Sequence, residues 1–188
     1  ETEDMYRLLA PFGVDGPIPR LTVVPDASVA ESLRASLPAV VGEGTGPLVA
    51  LHISARKEKQ RWPIERFSEF AHRLHADSNA RFLVFWSPGD ENNPFHPGDD
   101  GKAAKLLSLL SDLPAAPVHT GQLAELMAGL SLCDAAVLSD GGGDASGGRA
   151  RQVARLFFWK LSSRTLAPVG RPLRIAAKIV SRCCRYQR

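Results

Sequence analysis

The sequence is poor in cysteine, in long apolar runs and, toward its end, in acid. Only three cysteines occur in 188 residues: Cys133, Cys183 and Cys184. The number is odd, and the adjacent pair lacks the C-x-x-C spacing of a zinc site, so reduced thiols are expected rather than a disulfide framework or a structural metal. No apolar run approaches the roughly 18 to 20 residues that a spanning helix needs, so an integral membrane protein is not expected. A charged start followed by an apolar stretch is also lacking, which argues against a secretory signal. The chain begins at Glu1 rather than Met, so upstream sequence is expected. Acid nearly vanishes after Asp140. Eleven of the 23 Lys and Arg residues lie beyond it, opposed only by Asp144, so a tail of +10 follows a body of −7 within a net charge of +3. Such asymmetry is common in nucleic-acid-binding tails. What the chain does have is 44% hydrophobic residues, enough for one globular core.

Periodicity divides the body into alternating elements. Residues 1–45 read as a connector. It has a short helix around Tyr6-Arg7-Leu8-Leu9, a Gly/Pro break, the strand-like Leu21-Thr22-Val23-Val24, and a helix to about Leu37 with Asp26 as N-cap. After glycines at 42, 44 and 46, residues 48–53 are nearly all apolar, as a strand buried on both faces should be. Ile64, Phe67, Ala71 and Leu74 share one helical face behind Pro63. Residues 82–86 read as a second buried strand, followed by a helix carrying Leu106, Leu107, Leu109 and Leu110. Val118-His119 is a short strand candidate. Leu123, Leu126, Met127 and Leu130 form a helical stripe, and residues 135–138 close the series as a strand. This alternation predicts an α/β fold, a Rossmann-like doubly wound parallel sheet. Ligands in such sheets sit beyond the carboxyl ends of the strands, here the loops after Ile53, Trp86, His119 and Leu138.

The first of these loops runs from Ser54 through Arg56, Lys57, Lys59, Gln60 and Arg61 into a helix start. A hydroxyl, several cations and free helix N–H groups suit a phosphate or pyrophosphate, and a solvated charged loop fits equally well. In the second, Ser87-Pro88-Gly89-Asp90-Glu91, a carboxylate past a strand end suits the hydroxyls of a ribose, while turn chemistry explains the same residues. In the fourth, Ser139-Asp140-Gly141-Gly142, the glycines let backbone N–H groups approach a diphosphate or sugar, and a plain turn is the alternative. His52, inside a strand, reads as a satisfied core residue. His72 and His75, three apart on a helix without an acidic third ligand, make a poor metal site.

Taken in order, these loops resemble glycosyltransferase family 9, the bacterial lipopolysaccharide heptosyltransferases. The likeness runs from about Met5 to Gly142. It rests on Met5-Tyr6-Arg7-Leu8-Leu9-Ala10-Pro11-Phe12-Gly13, on Leu51-His52-Ile53-Ser54-Ala55-Arg56 through Arg61-Trp62-Pro63-Ile64-Glu65-Arg66-Phe67, and on Phe85-Trp86-Ser87-Pro88-Gly89-Asp90-Glu91. Thr120-Gly121-Gln122-Leu123-Ala124-Glu125-Leu126 and Ser139-Asp140-Gly141-Gly142 complete it. The resemblance implies the C-terminal, donor-binding domain of a GT-B fold, here incomplete. It implies transfer of a heptose or related sugar from an ADP-heptose-like nucleotide-sugar donor to a lipid A–core acceptor. The setting implied is cytoplasmic, with peripheral contact with the inner membrane, and without cofactor, metal or nucleic acid. By the family pattern Ser54 and the loop containing Lys57, Lys59, Gln60 and Arg61 hold the diphosphate. Glu91 holds the ribose, and Asp140 with Gly141 holds the sugar and diphosphate; Thr120 and Gly142 lie in the matching motifs and join this donor-binding set. Gln60 stands where the family often has Lys. The family's acidic catalytic base belongs to the other domain, so no catalytic residue is assigned here and these residues alone are expected to be inactive. Two other readings are a non-catalytic nucleotide-binding module and a GT-B sugar-nucleotide epimerase relative.

The domain reading is therefore a connector to a missing acceptor domain over 1–45, a nucleotide-sugar-binding domain over 46–142, and a basic tail over 143–188. After Gly142 the likeness stops, and a one-base frameshift accounts for the break. With suitable codons, residues 164–177 shifted by one base read Glu-Arg-Trp-His-Pro-Trp-Gly and onward, like family sequence. The stretch from Gly143 can likewise be shifted into a run ending in Phe-Phe-Gly-Asn. On that reading the arginines are GC-rich codons read out of frame, and the tail is expected to pack poorly and leave a sheet edge without its partner. A nucleic-acid arm or a membrane-surface helix around Leu156-Phe157-Phe158-Trp159 would use the same charges.

Overall fold

The computed structural model describes residues 6–14, 16, 24–55, 61–93, 97–139 and 154–157. Strand β1, Leu48–His52, lies at the centre of a five-stranded sheet. It pairs in parallel with β2, Arg81–Phe85, on one side and β4, Ala135–Ser139, on the other, and β2 pairs in parallel with β3, Ala115–Val118. With β5, Ala154–Phe157, the order is β3-β2-β1-β4-β5. The four parallel strands flanked by helices make a Rossmann-like α/β domain, as the alternation predicts.

Both sheet faces are covered, which is why the central strands read as continuous apolar runs. Helices α1, Ala27–Ser36, and α5, Leu123–Ser131, lie on one face. There Leu33 and Leu126 pack with Leu48, Ala50, Leu83 and Phe85. The opposite face carries α3, Ile64–Ser78, and α4, Asp100–Leu109. Ile64, Phe67, Phe70, Ala71 and Leu74 of α3, with Leu106 of α4, pack there against Val49, Leu51, Phe82 and Val84. The one-residue alternation from Leu48 to Leu51 sends successive side chains into two separate cores.

Local chemistry sets the element ends. Asp26 caps α1, accepting from the Ser28 N–H at 2.8 Å and the Val29 N–H at 3.3 Å. Pro38 follows, and the short helix α2, Ala39–Gly42, leads toward β1. Asn79, left-handed at φ 53°, ends α3. Gly46 lies so close to the Asn79 carbonyl that a Cβ there would collide with it, so the β1 entrance admits no larger residue.

Three sequence expectations shift. The helix expected around residues 6–9 is a single turn running into a 3-10 segment, Ala10–Phe12, where Pro11 sits at the helix start and left-handed Gly13 stops it. Its side chains Leu8 and Phe12 are exposed. The strand-like 21–24 lies outside the described residues except for Val24, which is not in a strand. The outer edge of β4, expected to lose its partner, is instead paired by β5 in the antiparallel sense, with Val137 opposite Leu156. An antiparallel partner needs only a loop, whereas a further parallel strand needs a crossover of a dozen or more residues, usually through a helix. The rest of the 143–188 tail lies outside the described residues.

Candidate functional site

The carboxyl ends of β1 to β4 open on one edge of the sheet, and hydrogen bonds between the loops bind that edge together. Ser54, just past β1, accepts a hydrogen bond from the Ser87 N–H, just past β2, at 2.8 Å. Thr120, past β3, donates through its hydroxyl to the Trp86 carbonyl at 3.2 Å. Ser139, the last residue of β4, donates to the Ile53 carbonyl at 3.1 Å and accepts from the Trp62 N–H at 3.2 Å. One buried hydroxyl thus fixes the end of β4 to the start of the first loop and to the entrance of α3.

Of the sequence-predicted donor-binding residues, Ser54, Arg61, Glu91 and Thr120 are described, and all four lie along this edge. Lys57, Lys59, Gln60, Asp140, Gly141 and Gly142 lie outside the described residues. Ser54 and Thr120 both serve as bridges between loops. Arg61 reaches back to the first loop, donating from Nε to the Ala55 carbonyl at 2.9 Å, and its guanidinium lies 3.9 Å from Asp99. Glu91 is half exposed and lies 3.7 Å from the Lys102 ammonium.

A residue that sequence reasoning passed over connects these groups. Asp99 is 2% exposed, and its carboxylate accepts from Lys102 Nζ at 2.7 Å. Burying a carboxylate costs heavily unless it is paired, and Asp99 has two cations beside it, Arg61 from the first loop and Lys102 from the first turn of α4. Its backbone is equally fixed: the Asp99 N–H donates to the Ser87 carbonyl at 2.9 Å, and its carbonyl accepts from the Ala103 N–H at 2.9 Å. The pair Asp99-Asp100 ahead of an apolar helix marks a helix start in sequence, yet its spacing does not say which carboxylate turns inward.

Asp100 takes the other direction. It accepts from the Trp86 indole N–H at 2.7 Å, and this bond, with a backbone bond from the 89–100 turn, holds its carboxyl below the ordinary carboxylate range. Trp86 in turn stands edge-on to His119, ring centroids 6.1 Å apart. The second loop folds back on itself: the Gly98 N–H donates to the Asp90 carbonyl at 2.9 Å, and Gly98 backs onto Gly89 so closely that a Cβ would collide. His52, at the end of β1, has its pKa lowered by burial, opposed by a backbone hydrogen bond at Ser54 and by the Asp99 charge. It is partly buried beside the site, so the sequence reading of a core histidine describes its solvation rather than its distance from the loops.

A cavity of about 80 Å³ lies at the opposite, amino edge of the sheet, lined in part by Arg34, Leu48, Arg81 and Asp134. Two of its charged groups are committed to backbone, while Arg34 is exposed and faces Glu31 at 4.0 Å. Arg81 donates to the Gly46 and Val41 carbonyls, and Asp134 accepts from the Leu48 N–H at 2.9 Å. These bonds lock the strand entrances, and the carboxyl edge remains the candidate site.

The carboxyl edge offers cations, a half-exposed carboxylate, hydroxyls and the entrance of α3 on one rim. Among the described residues no group of three or more His, Cys, Asp or Glu is placed to hold a metal ion, and no helix is long and apolar enough to cross a membrane. Comparison of the chain with protein-family models, with curated proteins and with solved structures found no match.

Proposed function

We propose that the chain is the donor-binding domain of a GT-B glycosyltransferase of the heptosyltransferase type. The observation that supports this best is the convergence of Ser54, Arg61, Glu91 and Thr120 on the carboxyl edge of a sheet ordered β3-β2-β1-β4. In that order the strand numbering reverses beside β1, and such switch points are where open α/β sheets hold nucleotides. On this reading Glu91 accepts hydrogen bonds from the ribose hydroxyls of an ADP-sugar. The cations of the 54–63 loop neutralise its diphosphate, and the residues following β4, Asp140 and Gly141, meet the sugar. The acceptor is the lipid A–core, met on the cytoplasmic side of the inner membrane. Removal of the acceptor proton falls to an acid outside these residues.

Calorimetry with ADP, an ADP-sugar and UDP tests the reading. Adenine nucleotides are expected to bind, and Glu91→Ala and Asp140→Ala are each expected to weaken binding by about tenfold, the worth of one charged hydrogen bond. ADP binding untouched by both substitutions would remove the assignment, and a preference for UDP would favour the epimerase-like relative. The frameshift proposed for the tail is tested by the nucleotide sequence around the Gly141 codon. An open alternate frame encoding family-like residues is expected, and early stops there would overturn it.

A further inference from the structure

Glu91 and Arg61 belong to different loops, and neither is held by its own loop alone. Between them stands a chain of charges running from Arg61 through Asp99 and Lys102 to Glu91, with separations of 3.9, 2.7 and 3.7 Å. Its rigid member is Asp99, buried and bonded through its backbone to β2's loop and to the first turn of α4. Lys102 is more enclosed than Glu91, at 29% side-chain exposure against 45%. A long ammonium side chain in solvent samples many rotamers, and one tied to a fixed carboxylate at 2.7 Å does not. The tethered ammonium is then a stationary charge beside Glu91. The same oxygen of Glu91 that faces Lys102 lies over the first turn of α4: this Oε1 is 3.3 Å from where a Cβ on Gly101 would be, at a helix end that favours an anion.

We infer that Lys102, fixed by Asp99, is a positioning residue that holds the Glu91 carboxylate in place for the two hydroxyls of a ribose. Lys102 itself is committed to two carboxylates and does not serve as a phosphate ligand. The inference rests on the donor-site reading above and assigns it a determinant of ribose over deoxyribose. A carboxylate that swings freely still attracts cations but cannot accept from two adjacent hydroxyls at once, because that requires a fixed orientation.

The experiment compares ADP with 2′-deoxy-ADP by calorimetry on the full chain. The wild type is expected to bind ADP about tenfold more tightly, the loss of one hydrogen bond to a charged group. Lys102→Gln keeps an amide donor for Asp99 while removing the charge beside Glu91. It is expected to bring the ratio toward one by weakening ADP and leaving 2′-deoxy-ADP nearly unchanged, and Lys102→Arg is expected to restore the preference. A merely structural role would weaken both nucleotides alike. If Lys102→Gln loses its cooperative melt, the same ratio is read on Asp99→Asn, which leaves Lys102 present but untethered and carries the same expectation. A ribose preference that survives these substitutions overturns the inference while leaving the donor reading intact. Failure of the wild type to bind either nucleotide overturns the donor reading and the inference with it.

Discussion

His52 shows how a single side chain couples this site to pH. Burial disfavours its charged form and lowers its pKa below the ordinary 6.5, a shift only partly opposed by Ser54 and the Asp99 charge. The unfolded chain therefore takes up a proton near pH 6.5 before the folded one does. Below that point the unfolded state holds more protons, and His52 makes the fold less stable as pH falls toward its lowered folded value. Above it the contribution is fully present. Urea midpoints at pH 7.5 and 5.5 are expected to separate for the wild type more than for His52→Gln, and equal separations would contradict the assignment. Cys133 behaves in the opposite sense: burial pushes its thiol pKa far up, so it stays protonated and unreactive within the fold.

Elements are held to one another at the site by few bonds, and Ser139 carries two of them. It joins β4 to Ile53 at the end of β1 and to Trp62 at the entrance of α3, residues 86 and 77 positions away in sequence. Ser139→Ala leaves the Trp62 N–H and the Ile53 carbonyl without that partner in a buried place. The expected cost is about 1–3 kcal/mol, read as a lower urea midpoint with unchanged slope. A loss under about 0.3 kcal/mol would mean that these groups find other partners. Trp62 lies between these bonds and the α3 core, edge-on to Phe67 at 4.8 Å, so a shift at Ser139 passes directly into helix packing.

For the whole molecule, the decisive feature is that the sheet continues past the last recognisable motif. The antiparallel strand β5 covers β4 with four residues, Ala154–Phe157, that no motif reading assigned to the sheet. A chain ending at Ser139 would retain both cores and expose the outer edge of β4, an apolar strand edge of the kind that recruits other chains. Such a truncation is expected to keep a cooperative melt and to shift toward oligomers in light scattering. A truncated protein that remains monomeric at high concentration would show that β5 does not protect the edge. Charge divides at the same place, with +10 after Asp140 and −7 up to and including it.

By itself the sequence determined three of the four parallel strands and their helices, because each depends on periodicity within a few neighbouring residues; the short β3 it placed at Val118-His119 lies instead at Ala115–Val118. Leu48 to Leu51 alternate between two cores, and Ile64, Phe67, Phe70 and Leu74 share one helical face. It also pointed to the loops at the carboxyl edge, since polar and Gly-rich segments after apolar strands are visible without a structure. The partners within those loops were decided by tertiary structure alone. Nothing local distinguishes Asp99 from Asp100, yet one is buried against Lys102 and Arg61 while the other bonds to Trp86 from the surface. Ser139 and Trp62 meet across 77 residues, and β5 pairs with β4 in a sense that the α/β alternation does not anticipate. Hydrophobic period is written into neighbouring residues, whereas the pairing of buried polar groups depends on which distant segments the closed sheet brings together.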